Sequence, residues 1–310
     1  MKIIIDTDPG TDDAVAVLLA LANFKDDEIL GISTVAGNVP VEKGTHNALR
    51  ILALAGRDSI DVYEGCSQPL ERDLVTAEWV HGGDGLAGLD FPKPNKEKSE
   101  THAVDFIGNT IMNSKEKVSI GVLGPMTNIA KSLNTYPEIV KNIDKIVFMG
   151  GSATGGNTTP VAEFNIYVDP QAAKIVFDSG IPLVMMGLDV TRQALASEDR
   201  IERLKDINTK TGSLFIGLMT SLNHIPLVKE KFPNGTPVHD AFVTAYMVNP
   251  EIIEGIKVNV EVETSSELTM GQTVVDTLGT SGKKPNVLWM NYVDSDKLFD
   301  LITKSASLLP

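Results

Sequence analysis

The chain reads as an α/β protein with a mostly parallel central sheet flanked by helices. It is laid out as one large domain over residues 1–310, with a helical insertion near 197–253. Three observations lead there. Short β-branched runs alternate with longer amphipathic segments for most of the length. Several runs, such as Ile146-Val-Phe-Met149 and Leu183-Val-Met-Met186, are continuously apolar, as strands covered on both faces are. No long linker, internal repeat or low-complexity segment divides the chain. Strand–helix alternation produces parallel sheets with right-handed crossovers, and their ligand sites lie beyond the carboxyl ends of the strands.

Taken in order, Lys2–Asp6 is a strand and Asp12–Asn23 has helical periodicity. Ile29–Val35 is the second strand, followed by a helix over Val41–Ala55. Val118–Leu123 is a strand with a helix after Pro125, and Lys145–Met149 a strand with a helix over Pro170–Asp178. Leu183–Leu188 is the next strand. Ser197 to Ile253 reads mainly as helix, broken by Pro-Asn-Gly-Thr-Pro at 233–237. Ile256–Glu263 and Asn286–Tyr292 return to strand alternation, and Asp296–Ser307 closes as a helix. The charged stretch 92–99 is a solvated loop.

Composition excludes several classes. Lys and Arg total 27 against 41 Asp and Glu, a formal charge of −14, which repels phosphate backbones and anionic lipid headgroups. No nucleic acid and no membrane is therefore expected as partner. The single cysteine, Cys66, cannot form an internal disulfide, and the apolar start is too short for a signal peptide, so a cytoplasmic protein is expected.

The informative segment is Ile5-Asp6-Thr-Asp8-Pro-Gly-Thr-Asp12-Asp13, where four carboxylates crowd the junction of an apolar strand and a helix. Helix capping explains one or two acids at such a place, not four. Carboxylates packed at a buried strand end repel, so they must take up protons or share a cation. No Cys or His accompanies them, and hard oxygen donors suit calcium or magnesium over zinc. An EF-hand loop starting at Asp6 would need Gly at its sixth position and Glu at its twelfth; Thr11 and Val17 stand there. Asp-x-Asp-x-x-Thr is also close to the nucleophile motif of magnesium-dependent haloacid-dehalogenase-like phosphatases, although Pro9-Gly10 lengthens it and Asp12-Asp13 is left over.

Asp6-Thr-Asp-Pro-Gly-Thr-Asp-Asp-Ala14 resembles the signature of the inosine–uridine-preferring nucleoside hydrolases. Further blocks match in order: Val35-Ala-Gly-Asn38, His81-Gly82, Gly124-Pro-Met-Thr-Asn-Ile-Ala130, Met149-Gly-Gly151, Asn157 through Ala162-Glu-Phe-Asn165, Val238-His-Asp240 and Gly271-Gln-Thr-Val-Val-Asp276. Phosphatases do not share these later blocks. The resemblance implies a Rossmann-like fold and a ribonucleoside hydrolase with bound Ca2+, yielding ribose and a free nucleobase for salvage, as a homodimer or homotetramer. It further implies Asp8, Asp13 and Asp240 as metal ligands with the Leu123 carbonyl. Asp6 would stand behind them as an orienting carboxylate. Asp12, Asn165 and Glu163 would grip ribose hydroxyls, Asn157 would reach the 5′-hydroxyl, and Asn38 and Met149 would sit beside metal and substrate.

The chemistry suits these residue types. Cleaving the bond from ribose C1′ to a base nitrogen develops positive charge on the sugar, as in glycoside hydrolysis generally. Calcium takes six to eight oxygens, leaving room for a water and a ribose diol. Asp8 is placed as general base, and Glu163 can favour the cationic sugar. His239, beside Asp240, is the candidate acid for the departing base, its ordinary pKa suiting that task near neutrality. His81 lies in a Gly-rich loop and either closes over substrate or occupies a turn. His46, His102 and His224 read as surface or core hydrogen-bonders. Trp79 either stacks on a base or packs. The segment 223–231, Asn-His-Ile-Pro-Leu-Val-Lys-Glu-Lys, departs from the Tyr/Arg pattern of an inosine–uridine enzyme, with Lys229 or Lys231 as substitutes. A calcium-dependent nucleoside- or sugar-binding protein without turnover is the non-enzymatic alternative, against which Asp8 and His239 count.

Overall fold

The computed structural model describes residues 1–310 apart from the side chain of His224, so the expectation for that histidine falls outside the described residues. The elements run β1 (Lys2–Thr7), α1 (Thr11–Asn23), β2 (Ile29–Thr34), α2 (Val41–Ala55), β3 (Val62–Glu64), α3 (Glu78–His81), α4 (Ala103–Asn113) and β4 (Val118–Val122). Then follow α5 (Thr127–Thr135), β5 (Ile143–Met149), α6 (Phe164–Val168), α7 (Pro170–Phe177), β6 (Leu183–Met186) and α8 (Leu188–Thr191). The expected helical stretch comprises β7 (Leu195–Ala196), α9 (Glu198–Lys205), α10 (Lys210–Thr220), α11 (Pro226–Lys231), β8 (Thr236–Pro237) and α12 (Ala241–Val248). The chain closes with β9 (Ile253–Val262), β10 (Thr273–Asp276), β11 (Val287–Val293) and α13 (Ser295–Leu308).

The main sheet has nine strands in the order β10-β9-β11-β6-β5-β4-β1-β2-β3. From β11 to β3 every neighbour is parallel; only β9 and β10, at one edge, are antiparallel. The expectation of a mostly parallel sheet flanked by helices is met. The break at 233–237 is itself paired: β8 runs antiparallel to β7 as a two-residue ribbon.

Both faces of the sheet are covered, which explains the uninterrupted apolar runs. In β1, Ile3 and Ile5 join one buried cluster and Ile4 the other. In β5, Val147 and Met149 face the first cluster, Ile146 and Phe148 the second. Helix α1 is apolar nearly all round because α2, α10, α12 and α13 surround it. Each large side chain so buried contributes about 1.5–3 kcal/mol, which makes α1 a rigid base for the loop that precedes it.

The chain goes outward from β1 to β2 and β3 on one side, and from β4 to β5 and β6 on the other. The carboxyl ends of β1 and β4 therefore lie where strand order reverses, the place where loops diverge and leave a crevice. β3, α4 and β10 are elements that strand–helix alternation alone did not mark. β3 is three residues long and β10 four, too short for a periodic signal.

Candidate active site

The loop from β1 into α1 lies at that reversal and carries the acidic cluster. Gly10 occupies the N-cap position of α1, and Asp13 supplies the capping carboxylate: its Oδ2 accepts the Gly10 N–H at 3.0 Å and the Asn38 amide at 2.9 Å. Its Oδ1 accepts the Thr7 hydroxyl at 2.6 Å and the Asp8 N–H at 3.2 Å. Capping thus accounts for one acid of the four.

Asp8 is held differently. Its Oδ2 accepts the Asn38 N–H at 2.7 Å, while Oδ1 is buried with no hydrogen-bond partner. Gly37 and Gly124 approach so closely that a Cβ on them would stand 2.1 Å from Oδ2 and 2.3 Å from Oδ1. Both positions must be glycine for the carboxylate to sit there. Asp240 reaches in from the N-cap position of α12 without making a capping bond. Asp12, Asp13 and Asp240 each bring one oxygen within 4.8 Å of the others.

This crowding has electrostatic consequences. Burial, then the Asp13 charge, pushes the Asp8 carboxyl well above the usual range. Burial, then Asp12, Asp13 and Asp8, does the same to Asp240. Loss of surrounding water, followed by Asp13, brings Asp12 up to about 7. A buried acceptor with no donor, set among carboxylates that cannot all ionise, calls for a cation. The donors are all oxygens, so the residues fit a hard divalent ion. Asp12, expected on the ribose, stands with Asp13 and Asp240 in this group.

Above the carboxylates lies a cavity of about 330 Å³, the size of a small-ligand pocket. Asp12, Asn38, Leu123, Met149 and Asp240 contribute to its lining. Asn165 spans two strand ends: its Nδ2 donates to the Leu123 carbonyl at 2.6 Å and the Met149 carbonyl at 3.1 Å, which leaves its Oδ1 for a ligand. Glu163 is the N-cap of α6, accepting from Asn165 N and Gly151 N at 2.9 and 3.0 Å. Burial outweighs those donors and raises its carboxyl to about 7. Asn157 is exposed at the rim, its Oδ1 taken by the Phe164 N–H at 2.9 Å.

Asp6 stands apart. Its Oδ1 accepts Ser33 Oγ at 2.5 Å and Asn128 Nδ2 at 2.8 Å, tying β1 to β2 and α5, and Oδ2 is buried without a partner. Burial raises it to about 7, the two donors opposing. The structure gives Asp6 no hydrogen bond to Asp8 or Asp13 among the described residues.

The profile of the Inosine-uridine preferring nucleoside hydrolase family matches residues 3–300. The chain belongs to that family. It is 42% identical over 306 residues to "Pyrimidine-specific ribonucleoside hydrolase RihA" of Photobacterium profundum, covering 97% of each chain. It is 45% identical over 312 residues to "Uncharacterized protein C1683.06c" of Schizosaccharomyces pombe, covering 100% of each. Among solved structures, "Purine-Preferring Ribonucleoside Hydrolase from Gardnerella vaginalis" superposes with a TM-score of 0.90 at 32% identity, covering 99% of this chain and 98% of that one. The phosphatase alternative has no support left.

In this nucleoside hydrolase burial holds both pocket histidines below the ordinary imidazole range. His81 is buried, and its Nδ1 lies 3.2 Å from the Thr11 N–H and 2.9 Å from the Thr11 hydroxyl, so it is tied to the start of α1 instead of swinging in a free turn. Burial pushes it down to about 4, Asp13 opposing. His239 is driven to about 3 by burial and then by Arg192 and His81. This departs from the expected titration near neutrality, which took no account of the dry pocket or of Arg192. Arg192 itself, absent from the sequence reading, donates from Nη2 to the Gly156 carbonyl at 3.0 Å and lines the cavity. Its signal was its place just after β6, at the carboxyl side of the sheet. His102 caps α4 through Nδ1, and His46 is exposed, as expected of non-catalytic histidines. The outer cavity wall is formed by α3 and α11, with Trp79, Leu227 and Lys231; Lys229 is not among the lining residues. Trp79 is 70% exposed at the rim. Among the described residues, no helix is long and apolar enough to cross a membrane.

Proposed function

We propose that this nucleoside hydrolase is calcium-dependent, that Asp8 is its general base, and that its preferred substrates are pyrimidine ribonucleosides. The observation that carries the reading is the Asp8 carboxylate: buried, wedged between two glycines, with Oδ1 left without a protein donor and with the Asp13 and Asp12 charges beside it. Asp8, Asp13 and Asp240 with the Leu123 carbonyl would hold the ion, and Asp12 stands near enough to join them. When bound, calcium supplies positive charge that offsets the carboxylates and makes a neighbouring water more acidic.

The chain's own residues do the rest. Asp8 Oδ1 accepts a proton from the attacking water as oxygen bonds to C1′ and the bond to the base nitrogen breaks. Asn165 Oδ1 and Asp12 accept from ribose hydroxyls, and Asn157 Nδ2, free of protein partners among the described residues, donates toward the 5′ end. Glu163, fastened by backbone N–H groups, supports positive charge developing on the sugar. The departing base meets His239. Its far end meets the apolar wall of α3 and α11, where Lys231 offers the cation that the Tyr/Arg pattern would otherwise provide. The similar RihA proteins are named as pyrimidine-specific, which supports the same preference here. A homodimer or homotetramer working in cytoplasmic salvage completes the reading.

The test is ribose release from a panel of purine and pyrimidine nucleosides after chelator treatment, with calcium or magnesium restored. Turnover recovered by calcium, fastest on uridine or cytidine, is expected. Full activity in chelator defeats the calcium assignment, faster purine cleavage the base assignment, and tight binding without ribose release the assignment of Asp8 as base.

A further inference from the structure

The imidazole of His239 hydrogen-bonds one side chain among the described residues: Thr191 Oγ1 lies 2.7 Å from its Nδ1. Thr191 is fully buried and ends α8, directly beyond β6. The helix is fixed in turn, because Asp189 accepts from Ala153 N at 2.8 Å, Thr154 Oγ1 at 2.7 Å and Trp289 Nε1 at 3.2 Å. The threonine hydroxyl therefore meets the ring from a rigid support.

At this contact the hydroxyl can either accept a proton from Nδ1 or donate its own to it. Were the ring proton on Nδ1, it would donate to Oγ1 and strand the hydroxyl proton, which has no other acceptor among the described residues. A buried donor without an acceptor is costly. With the hydroxyl donating to Nδ1, every proton is used and the ring proton sits on Nε2. Nε2 has no hydrogen-bond partner among the described residues, and the ring lines the cavity.

We infer that Thr191 is a positioning residue that fixes His239 as its Nε2–H tautomer, so that the ring offers a hydrogen-bond donor to the nitrogen or carbonyl of the departing base. This rests on the reading that His239 serves the leaving group. No proton need pass from an imidazolium: the donated hydrogen bond strengthens as negative charge gathers on the base when the bond to C1′ breaks.

The test uses full-length protein with labelled histidine, as wild type, Thr191→Val, Thr191→Ser and His239→Ala. Long-range proton–nitrogen spectra of the wild type are expected to show His239 protonated at Nε2; protonation at Nδ1 overturns the inference without any variant. Thr191→Val is expected to lower kcat on uridine by roughly ten- to hundredfold, with KM and the rate on p-nitrophenyl riboside nearly unchanged. Thr191→Ser, which keeps the hydroxyl, is expected to restore most of the lost rate. If His239→Ala slows uridine hydrolysis while Thr191→Val does not, the role of Thr191 falls and that of His239 stands. If His239→Ala slows both substrates alike, the leaving-group reading fails and the positioning role falls with it, even where the spectra show Nε2–H.

Discussion

Replacing Asp240 by Asn is expected to stabilise the metal-free protein and to abolish its response to calcium. Asp240, Asp12 and Asp13 bring oxygens within 4.8 Å of one another. At an effective dielectric of about 20, two unit charges at that spacing repel by about 3.5 kcal/mol, and Asp240 faces two such neighbours. Protons taken up by the cluster relieve part of this, as the raised proton affinities of Asp12 and Asp240 require. The amide keeps the shape of the side chain, and since Asp240 makes no capping bond to α12, no cap is lost. A gain of about 1–3 kcal/mol in chelator follows. Calcium should act oppositely on the wild type, adding about 2.7 kcal/mol at a hundredfold excess over Kd, or roughly 5 °C in Tm. The assay is thermal unfolding of both proteins near neutral pH, in chelator and then in excess calcium. An Asn variant that melts below wild type in chelator, or that keeps the full calcium shift, would refute the reading of these acids as a repelling cluster awaiting a cation.

Other outcomes follow from the same geometry. Asp8→Asn should lower kcat by about 10²–10⁴-fold with an intact circular dichroism spectrum, and a rate within threefold of wild type would remove Asp8 as base. Gly124→Ala places a Cβ 2.3 Å from Asp8 Oδ1, so calcium-induced stabilisation and turnover should be lost together; retention of either means the carboxylate tolerates displacement. Asp6 and Glu163 both have carboxyls raised to about 7 by burial. A raised folded-state pKa means the native protein holds the proton more tightly, so their stabilisation is full below the ordinary carboxylate range and lost as pH rises toward and through about 7. Chelated protein should accordingly lose Tm over that interval, with Asp6→Asn flattening the fall; a Tm that climbs with pH would contradict this.

Much of this architecture is legible in one sequence because local rules and the global fold agree. The run Val41–Ala55 is helical to the residue, ending at Gly56 in the left-handed region that glycine favours. The doubly covered strands announce themselves by unbroken apolar runs, and the acids of the first loop by their number. What stays hidden depends on chain segments far apart in sequence. Asn128 reaches Asp6 across 122 positions and Thr191 reaches His239 across 48. Neither pairing leaves a local pattern. The lowered proton affinity of His239 is likewise a property of the assembled pocket, set by burial and Arg192, and the motif around it carries no sign of that. Asp12 shows the same limit: its place beside Asp240 depends on how α1 and α12 pack.

Helix α11, which forms part of the outer wall of the cavity, has no buried residue of its own. Its side chains can change with little penalty to folding, since exposed substitutions usually move stability by no more than about 0.5 kcal/mol. The residues proposed to meet sugar and cation sit instead at strand ends and helix starts, where Asp13, Glu163 and Asp240 open α1, α6 and α12. Under the proposed function, substitutions in α11 would reshape the wall that meets the nucleobase while leaving the strand-end carboxylates in place.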